Sequence, residues 1–237
     1  MLLEETRIRV SHFGFDSLEY GEENRLKAKG KNRTVGWEVQ LAKLHSRYVM
    51  SRRTMRLAEI FAKLLPKGST VLDVGSGNGW LASKVLELRP DLRITGLDVF
   101  MWPERQILTL QFDGKTIPCD DESWDYCMAS DVLHHTEAPV QLMLEMTRVS
   151  RYGVIVKDHI AHNKLDRLEL TVMDWLGNRG HGVGLKYDYW SWDNWEKAFK
   201  SSGLREDALK LSLGLYSWPL TCLCDRRLHF VARLLKE

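Results

Sequence analysis

The sequence predicts an α/β fold, with a doubly wound parallel sheet covered by helices on both faces. Three observations lead to this fold class. The apolar run from Thr70 to Val74 is typical of a buried parallel strand. A glycine-rich turn follows this strand and leads into a predicted helix from Trp80 to Leu88. Strands and helices then alternate until Asp158, which indicates repeated strand–helix–strand units around one sheet.

The elements follow from apolar spacing and from the residues that end them. Apolar residues at three- and four-residue spacings predict a long helix over 37–65, which Pro66 and Gly68 end. Further strands are predicted at 93–99, 107–112, 124–130 and 152–158, with a helix over 139–149. Beyond these we expect a helix over 164–176, a helix from the capping Ser191 to Ser202, and strands at 208–213 and 228–234.

Length and composition indicate one globular domain. The 237 residues are 44% apolar and 28% charged, which is ordinary for a folded protein. No apolar run reaches the roughly 20 residues that span a bilayer, and the N-terminal MLLEETRIRV carries acids where an export signal carries bases. None of the cysteines forms a Cys-x-x-Cys pair, so we expect reduced thiols in a cytoplasmic protein.

The net charge of +2 hides a basic stretch over residues 25–56, in which Glu38 is the only acid. Such a stretch is either a solvated helical face or a surface for nucleic acid, anionic lipid or an anionic substrate. Its basic members are Arg25, Lys27, Lys29, Lys31, Arg33, Lys43, Arg47, Arg52, Arg53 and Arg56.

The central motif is the turn that joins the first strand of the sheet to the next helix. It reads Asp73-Val74-Gly75-Ser76-Gly77-Asn78-Gly79, and open α/β sheets bind ligands at such strand ends. Glycines let the backbone turn tightly and approach a ligand closely. Asp98 ends the following strand, 19 residues after Gly79, where a carboxylate can accept two hydrogen bonds from a ribose diol.

A dinucleotide-binding fold is the competing interpretation of this turn. Its fingerprint is G-x-G-x-x-G, whereas the glycines here are spaced G-x-G-x-G and Trp80 stands in the place of the last glycine. Asp73 would repel a pyrophosphate but suits the ammonium of an aminoacyl group. The ligand implied is adenosine joined to an amino-acid end.

Residues 70–158 resemble the class I methyltransferases that use S-adenosylmethionine (SAM), in particular the ubiquinone/menaquinone-type small-molecule group. Four segments carry the resemblance in order: VLDVGSGNG, GLDV, FDGKTIPCDDESWDYC and SDVLHHTEAPVQLMLEMTRVSR. The resemblance implies a Rossmann-like sheet of seven strands in the order 3-2-1-4-5-7-6, with strand 7 antiparallel. One departure is RVSRYG, where the family usually has a Pro-Gly-Gly turn.

The resemblance also implies SAM as cofactor and S-adenosylhomocysteine as product. Asp98 corresponds to the ribose-binding acid, and Asp113 with Gly114 fall where the adenine edge is held. The full set of expected cofactor residues is Asp73, Gly75, Ser76, Gly77, Asn78, Gly79, Asp98, Val99, Asp113, Gly114 and Ser130.

Methyl transfer from a sulfonium is an in-line displacement, and a hydroxyl acceptor must also lose a proton. Candidate proton acceptors at the strand ends are His134 and His135 after the fourth strand, and Asp158 and His159 at the end of the fifth. Double histidines at this point are frequent in the family, so packing is the alternative role. We expect no metal, although Asp131, Asp158, His159 and His162 could converge on one.

The acceptor site is predicted in a segment after the fifth strand that is rich in aromatic residues and glycine. We expect residues 160–195 to close over the methyl end of the cofactor as a lid, with His181, Tyr187 and Tyr189 near the acceptor. The alternative is ordinary core packing, which Trp192 and Trp195 at helical spacing favour for themselves. Residues 1–65 would form a helical extension on a methyltransferase domain over 66–237.

Four functions compete at this stage. The favoured one is a methyltransferase that acts on oxygen, carbon or nitrogen of a small, apolar or aromatic molecule. The basic stretch suggests a nucleic-acid methyltransferase, but Ser130-Asp131-Val132-Leu133 replaces the Asn/Asp-Pro-Pro-aromatic motif of amino-group methylation. A non-catalytic binding module is disfavoured by the intact acids and glycines, and an enzyme that uses NAD is disfavoured by the glycine spacing. The oligomeric state is left open.

Overall fold

The computed structural model describes residues 37–178, 188–216, 218 and 227–237. Its helices are α1 (Trp37–Leu64), α2 (Trp80–Leu88), α3 (Pro139–Val149), α4 (Lys164–Asn178) and α5 (Trp192–Ser201), with a short 3-10 helix at Leu133–His135. Its strands are β1 (Thr70–Val74), β2 (Arg93–Asp98), β3 (Thr109–Gln111), β4 (Trp124–Ser130), β5 (Ser150–His159), β6 (Leu204–Lys210) and β7 (His229–Lys236).

The seven strands form one sheet in the order β3-β2-β1-β4-β5-β7-β6, which confirms the expected topology. β1 pairs in parallel with β2 and β4, and β4 pairs in parallel with β5, while β7 runs antiparallel to both β5 and β6. The carboxyl ends of β1, β2, β4 and β5 therefore meet at one edge, where open α/β sheets bind ligands.

Each face of the sheet carries its own apolar core, because successive strand residues point to opposite faces. Leu72 and Val74 of β1 belong to the core that also contains Met143 of α3 and Trp195 of α5. Val71 of β1 lies in the other core, together with side chains from α1 and α2. Helices thus cover both faces, as predicted for a doubly wound sheet.

The strand predicted at 208–213 instead begins at Leu204 and ends at Lys210. Among the described strands β6 pairs with β7 alone and lies at the edge of the sheet, so it tolerates the exposed polar residues of its first half. The apolar residues that suggested the later position leave the sheet, and Leu213 and Leu215 pack into the core beneath α1.

Two junctions position the candidate site. α3 passes into β5 without a turn, since Val149 ends the helix and Ser150 begins the strand, so the missing Pro-Gly-Gly segment leaves no gap. Ser191 does stand at the start of α5, but its backbone carbonyl rather than its side chain accepts the first hydrogen bonds. Within the described residues, no helix has the length and apolar character required to cross a membrane.

Candidate active site at the carboxyl edge of the sheet

The glycine turn after β1 uses its three glycines for different purposes. All three have positive φ, with 72° at Gly75, 58° at Gly77 and 77° at Gly79. A Cβ atom on Gly75 would lie 2.4 Å from Cγ2 of Val132, and one on Gly79 would lie 2.5 Å from Cγ1 of Ile107. A Cβ on Gly77 would meet no described atom within 4 Å. Gly75 and Gly79 therefore permit close packing, whereas Gly77 borders open space.

Asp98 ties this turn to the end of β2. Its Oδ2 accepts a hydrogen bond from the Gly77 amide at 2.7 Å, and its Oδ1 accepts one from the Phe100 amide at 2.9 Å. The side chain is buried, so both bonds are shielded from water. The carboxylate is thereby fixed beside the open space at Gly77.

Asp73 provides a second buried carboxyl group under the turn. Burial and the nearby charge of Asp98 raise the pKa of Asp73 to about 8. Both effects disfavour the charged form, because removing a carboxylate from water and placing it near a like charge cost free energy. A cationic ligand next to Asp73 and Asp98 would relieve that cost.

An apolar surface adjoins the Asp98 end of the site. Val99 and Phe100 are 54% and 55% exposed, and a Cβ on Gly114 would lie 3.0 Å from Cγ1 of Val99. Asp113 is exposed, and its Oδ1 accepts hydrogen bonds from the amides of Lys115 and Thr116, which lower its pKa. The structure thus brings Asp98, Val99 and Gly114 together, while Asp113 stabilises the adjoining loop.

The remaining residues of the turn form hydrogen bonds that stabilise its backbone. The carbonyl of Leu97 accepts hydrogen bonds from the amides of Gly75 and Ser76, and Asn78 Oδ1 accepts one from the Trp80 amide at the start of α2. These bonds hold the turn without using the space beside Gly77. The arrangement fits SAM: apolar surface for adenine, Asp98 for the ribose diol and Asp73 for the ammonium.

A second group of polar side chains lies where β4 and β5 end. His134 Nδ1 and Asp158 Oδ1 are 2.6 Å apart, and both side chains are buried. The backbone amide of His159 donates to the same carboxylate oxygen at 2.8 Å. Burial alone would raise the pKa of Asp158, but the charge and hydrogen bond of His134 hold it below the usual range. Asp158 is therefore an anion that orients the His134 ring.

The other rings pack around this pair. The half-buried His135 ring is centred 3.8 Å from that of His134, and the His159 ring is centred 4.6 Å from it. Burial, followed by the charge of Lys157, lowers the pKa of His159 to about 4, so this imidazole is neutral at pH 7. His134, Asp158 and His159 thus converge, and His135 stacks on them.

Sequence reasoning missed the charged residues beside these histidines. Asp131, considered only as a metal ligand, forms ion pairs with Arg53 of α1, at 2.6 Å, and with Lys157 of β5. Burial opposes the ionised form of Asp131, yet Arg53 and Lys157 lower its pKa well below the usual range. His229 of β7 also joins the group, with Nδ1 3.4 Å from Lys157 Nζ. A lysine inside the apolar run VIVKDH was the available signal.

Three side chains of this cluster could hold a metal ion. The donor atoms of His134, Asp158 and His159 lie within 4.8 Å of one another. The 2.6 Å contact between His134 and Asp158 is a hydrogen bond, and Lys157 places a positive charge beside the group. The fourth residue of the metal hypothesis, His162, is exposed and lies 3.4 Å from the Arg227 carbonyl instead. The absence of a metal stays a prediction.

The predicted acceptor residues fall in two places. His181 and Tyr187 lie outside the described residues. Tyr189 is buried in a small core with Ala161, Leu170 and Leu228, and its ring is centred 5.6 Å from that of His134. Ser130, which was expected to bind the cofactor and not the acceptor, is half-buried, with Oγ 3.3 Å from Asp131 Oδ2. Tyr189 and Ser130 therefore both adjoin the polar cluster.

Comparison with known proteins gives this site a biochemical context. Residues 72–156 match the methyltransferase domain family. A tRNA (carboxymethyluridine(34)-5-O)-methyltransferase of Mus musculus is 37% identical over 101 residues, which are 39% of this chain and 15% of that protein. An uncharacterized methyltransferase of Mycolicibacterium vanbaalenii is 33% identical over 128 residues, 51% of this chain and 46% of the relative. The chain thus spans less than half the length of these relatives.

Solved structures share the fold at low identity. A methyltransferase of Haloferax volcanii, in complex with the activator Trm112, gives a TM-score of 0.59 at 16% identity and covers 82% of this chain and 94% of its own. A SAM-dependent methyltransferase of Aquifex aeolicus gives a TM-score of 0.52 at 16% identity, and the superposition covers 76% of this chain and 89% of the Aquifex chain.

The domain match and these folds agree with the geometry at Gly77, Asp73 and Asp98. Residues 72–156 match the methyltransferase domain family, and the chain has the fold of solved SAM-dependent methyltransferases, which makes SAM the cofactor that this site implies.

Proposed function

We propose that the whole chain transfers the methyl group of SAM to a protic group, O–H or N–H, of a small acceptor molecule. The observation that carries this proposal is the Asp98 carboxylate, fixed by the Gly77 amide at 2.7 Å beside open space. Asp73, Val99 and Gly114 would complete the cofactor site. SAM supplies an electrophilic methyl group, and the chain's own residues orient it and handle the acceptor's proton.

His134 is the proposed proton acceptor. When Asp158 accepts a hydrogen bond from Nδ1, the neutral ring carries its lone pair on Nε2, the arrangement in which a histidine acts as a general base. The imidazolium formed on proton transfer would be stabilised by the Asp158 anion 2.6 Å away. This pair supports oxygen or nitrogen as the methylated atom, because an O–H or N–H acceptor can pass its proton directly to such a base.

The acceptor is proposed to be apolar or aromatic. Tyr189 packs against the rings of His134 and His159, and Trp190 adjoins the core formed around Trp195. Residues 160–195, with His181 and Tyr187, remain our proposal for the wall or lid of this site. The ubiquinone/menaquinone-type group, the domain boundary at residue 65 and a cytoplasmic location are proposals of the same kind.

An RNA acceptor is the second candidate, because one relative is a tRNA methyltransferase and α1 carries basic residues. That relative shares 101 residues with this chain, which are 15% of its own length, so the likeness lies within the methyltransferase domain. We therefore favour a small-molecule acceptor over RNA, and the experiment below includes tRNA as one of the acceptors.

The proposed function is tested by methyl transfer from radiolabelled SAM to a panel of phenols, amines, carboxylic acids and bulk tRNA. We expect label in at least one small protic compound and none in the tRNA. The variant His134→Gln should lose roughly 100-fold or more of that activity, the typical contribution of a general base, while it binds SAM normally. His162→Gln, an exposed histidine outside the cluster, is the matched control. Transfer to tRNA alone would contradict the proposed acceptor class.

The ribose role of Asp98 predicts the effect of Asp98→Ala on cofactor binding. SAM affinity should fall by about 2–4 kcal/mol, the loss of two charge-assisted hydrogen bonds. Asp91→Ala is the matched control, because Asp91 precedes β2 and its carboxylate also accepts a glycine amide, from Gly68 at 2.8 Å. Calorimetry should show weakened binding for the first variant only. Equal SAM affinity in both folded variants would refute the ribose assignment.

The pKa of Asp73 predicts that SAM binding releases a proton. With a pKa of about 8, Asp73 is mostly protonated at pH 7 in the free protein, and a bound ammonium would favour its ionised form. Calorimetry at pH 7 in phosphate and in Tris should give different binding enthalpies, because the two buffers take up the released proton with different heats. The difference should shrink in Asp73→Asn and persist in Asp91→Asn. Identical wild-type enthalpies in both buffers would rule out the coupling.

A further inference from the structure

Arg53 of α1 contacts the residue that directly follows β4. Its Nη2 atom donates to Asp131 Oδ2 at 2.6 Å, and the two side chains are 16% and 21% exposed. An ion pair that is largely shielded from water is stronger than one at the surface, where solvent screens the charges. α1 ends at Leu64, before the residues 72–156 that match the methyltransferase family. The contact therefore brings a residue from outside the matched segment to the edge of the site.

Both carboxylate oxygens of Asp131 are held, each by a different part of the fold. Lys157 of β5 pairs with Oδ1 from within the sheet, because it lies opposite Ser130 at the end of β4. Arg53 pairs with Oδ2 from outside the sheet, since α1 packs on one of the faces of the sheet. The carboxylate is thereby held in one orientation, and removal of the Arg53 charge would release one of its two anchors.

The backbone at Asp131 adopts an uncommon conformation. Its φ is 59°, in the left-handed region that residues other than glycine seldom occupy. Aspartate tolerates this region when its side chain is hydrogen-bonded nearby, and the Asp131 amide donates to the Lys157 carbonyl at 2.9 Å. Such conformations persist where the surroundings enforce them, and they cluster at functional sites. The contacts with Arg53 and Lys157 enforce the conformation here.

The turn at Asp131 directs the next side chain, Val132, onto the glycine turn. A Cβ atom on Gly75 would lie 2.4 Å from Cγ2 and 2.8 Å from Cγ1 of Val132, so Val132 packs directly against Gly75. The Gly75 amide in turn donates to the Leu97 carbonyl at 2.7 Å. Val132 therefore packs on the closed side of the glycine turn, and Gly77, two residues later, borders the open space.

We propose that Arg53 is a positioning residue for SAM. By fixing Asp131, it seats Val132 against Gly75. That contact sets the position of the Gly77 amide beside the bound cofactor. The inference rests on the proposed function, which assigns the space beside Gly77 to SAM. It makes α1 part of the cofactor site, although no contact between α1 and the ligand is required.

SAM binding to the full chain, measured by calorimetry, tests this role. Arg53→Met keeps most of the side-chain bulk but lacks the charge. We expect it to bind SAM about tenfold more weakly, within the range of coupling between residues joined in one contact network. Arg53→Lys should recover most of the affinity, because a lysine ammonium can pair with Asp131 in place of the guanidinium.

Arg233→Met is the matched control. Arg233 also ties α1 to the sheet, because its Nη1 atom donates to the Leu64 carbonyl at 2.9 Å, and it forms an ion pair with Asp207. Since both partners lie outside the glycine turn, this variant should lower the melting temperature and leave the SAM affinity unchanged. A purely structural role of Arg53 would give the same result for Arg53→Met.

Val132→Ala tests the next step and stays informative if Arg53→Met does not fold. The change removes the two methyl groups that contact Gly75, so this variant should also bind SAM more weakly. In the double variant with Arg53→Met the two losses of affinity should not add, because both changes disturb the same contact.

The amide resonance of Gly75, followed by NMR in the cofactor-free protein, gives a readout that does not depend on SAM. It should shift in Arg53→Met, return toward its wild-type position in Arg53→Lys and stay in place in Arg233→Met. Because Arg53 contacts Asp131 and Val132 contacts Gly75, a shift at Gly75 would report the proposed chain of contacts.

The inference would be overturned by wild-type SAM affinity in folded Arg53→Met or in Val132→Ala. An unmoved Gly75 resonance in Arg53→Met, or an equal loss of affinity in Arg233→Met, would overturn it as well. Failure of the wild-type protein to bind SAM would instead overturn the proposed function, and the Gly75 resonance would still report whether Arg53 positions the turn.

Discussion

The hydrogen bond from the Gly77 amide to the Asp98 carboxylate is the contact on which the proposed cofactor site depends. It joins the turn after β1 to the end of β2, and it holds the buried Asp98 carboxylate next to the space beside Gly77. The bond is available because β1 and β2 run in parallel and end at the same edge. Gly75 and Gly79 allow the turn to pack closely against Val132 and Ile107, so the open side of the loop is confined to Gly77.

The polar residues at the ends of β4 and β5, where the acceptor is proposed to bind, are subject to a different constraint: their charges must be compensated away from water. Asp158 is a buried anion and Asp131 is a half-buried one, and each is matched by donors from another element: Arg53 and Lys157 for Asp131, His134 for Asp158. Buried charges of this kind persist only when their partners are well placed. Burial, more than any neighbouring charge, lowers the pKa values of His159 and His229, and the Arg53–Asp131 ion pair links α1 to the strand ends. The His134–Asp158 contact therefore both compensates a buried charge and orients the proposed proton acceptor.

The sequence predicted the sheet and the glycine turn after β1 because the residue patterns that indicate them are local. The strand β1, the glycine turn, the helix α2 and the acid that ends β2 lie within 29 residues, from Thr70 to Asp98. The start of β6 was misplaced because an edge strand need not be apolar. The contacts among Arg53, Asp131, Lys157 and His229 were missed because these residues come from α1, the loop after β4, β5 and β7, so only the folded chain brings them together. A lysine in an apolar strand signals an unusual site but does not identify its partners.

The central claim, that the space beside Gly77 belongs to SAM, is tested most directly by comparing Gly77→Val with Gly68→Val. Gly68 has a φ of 74° and Gly77 one of 58°, and neither has a described atom within 4 Å of a Cβ position, so both variants place a branched residue at positive φ beside open space. Thermal melts would establish that both are folded, and calorimetry would then measure their SAM affinity. The account predicts that Gly77→Val loses SAM binding while Gly68→Val keeps it. Wild-type SAM affinity in folded Gly77→Val would contradict the account.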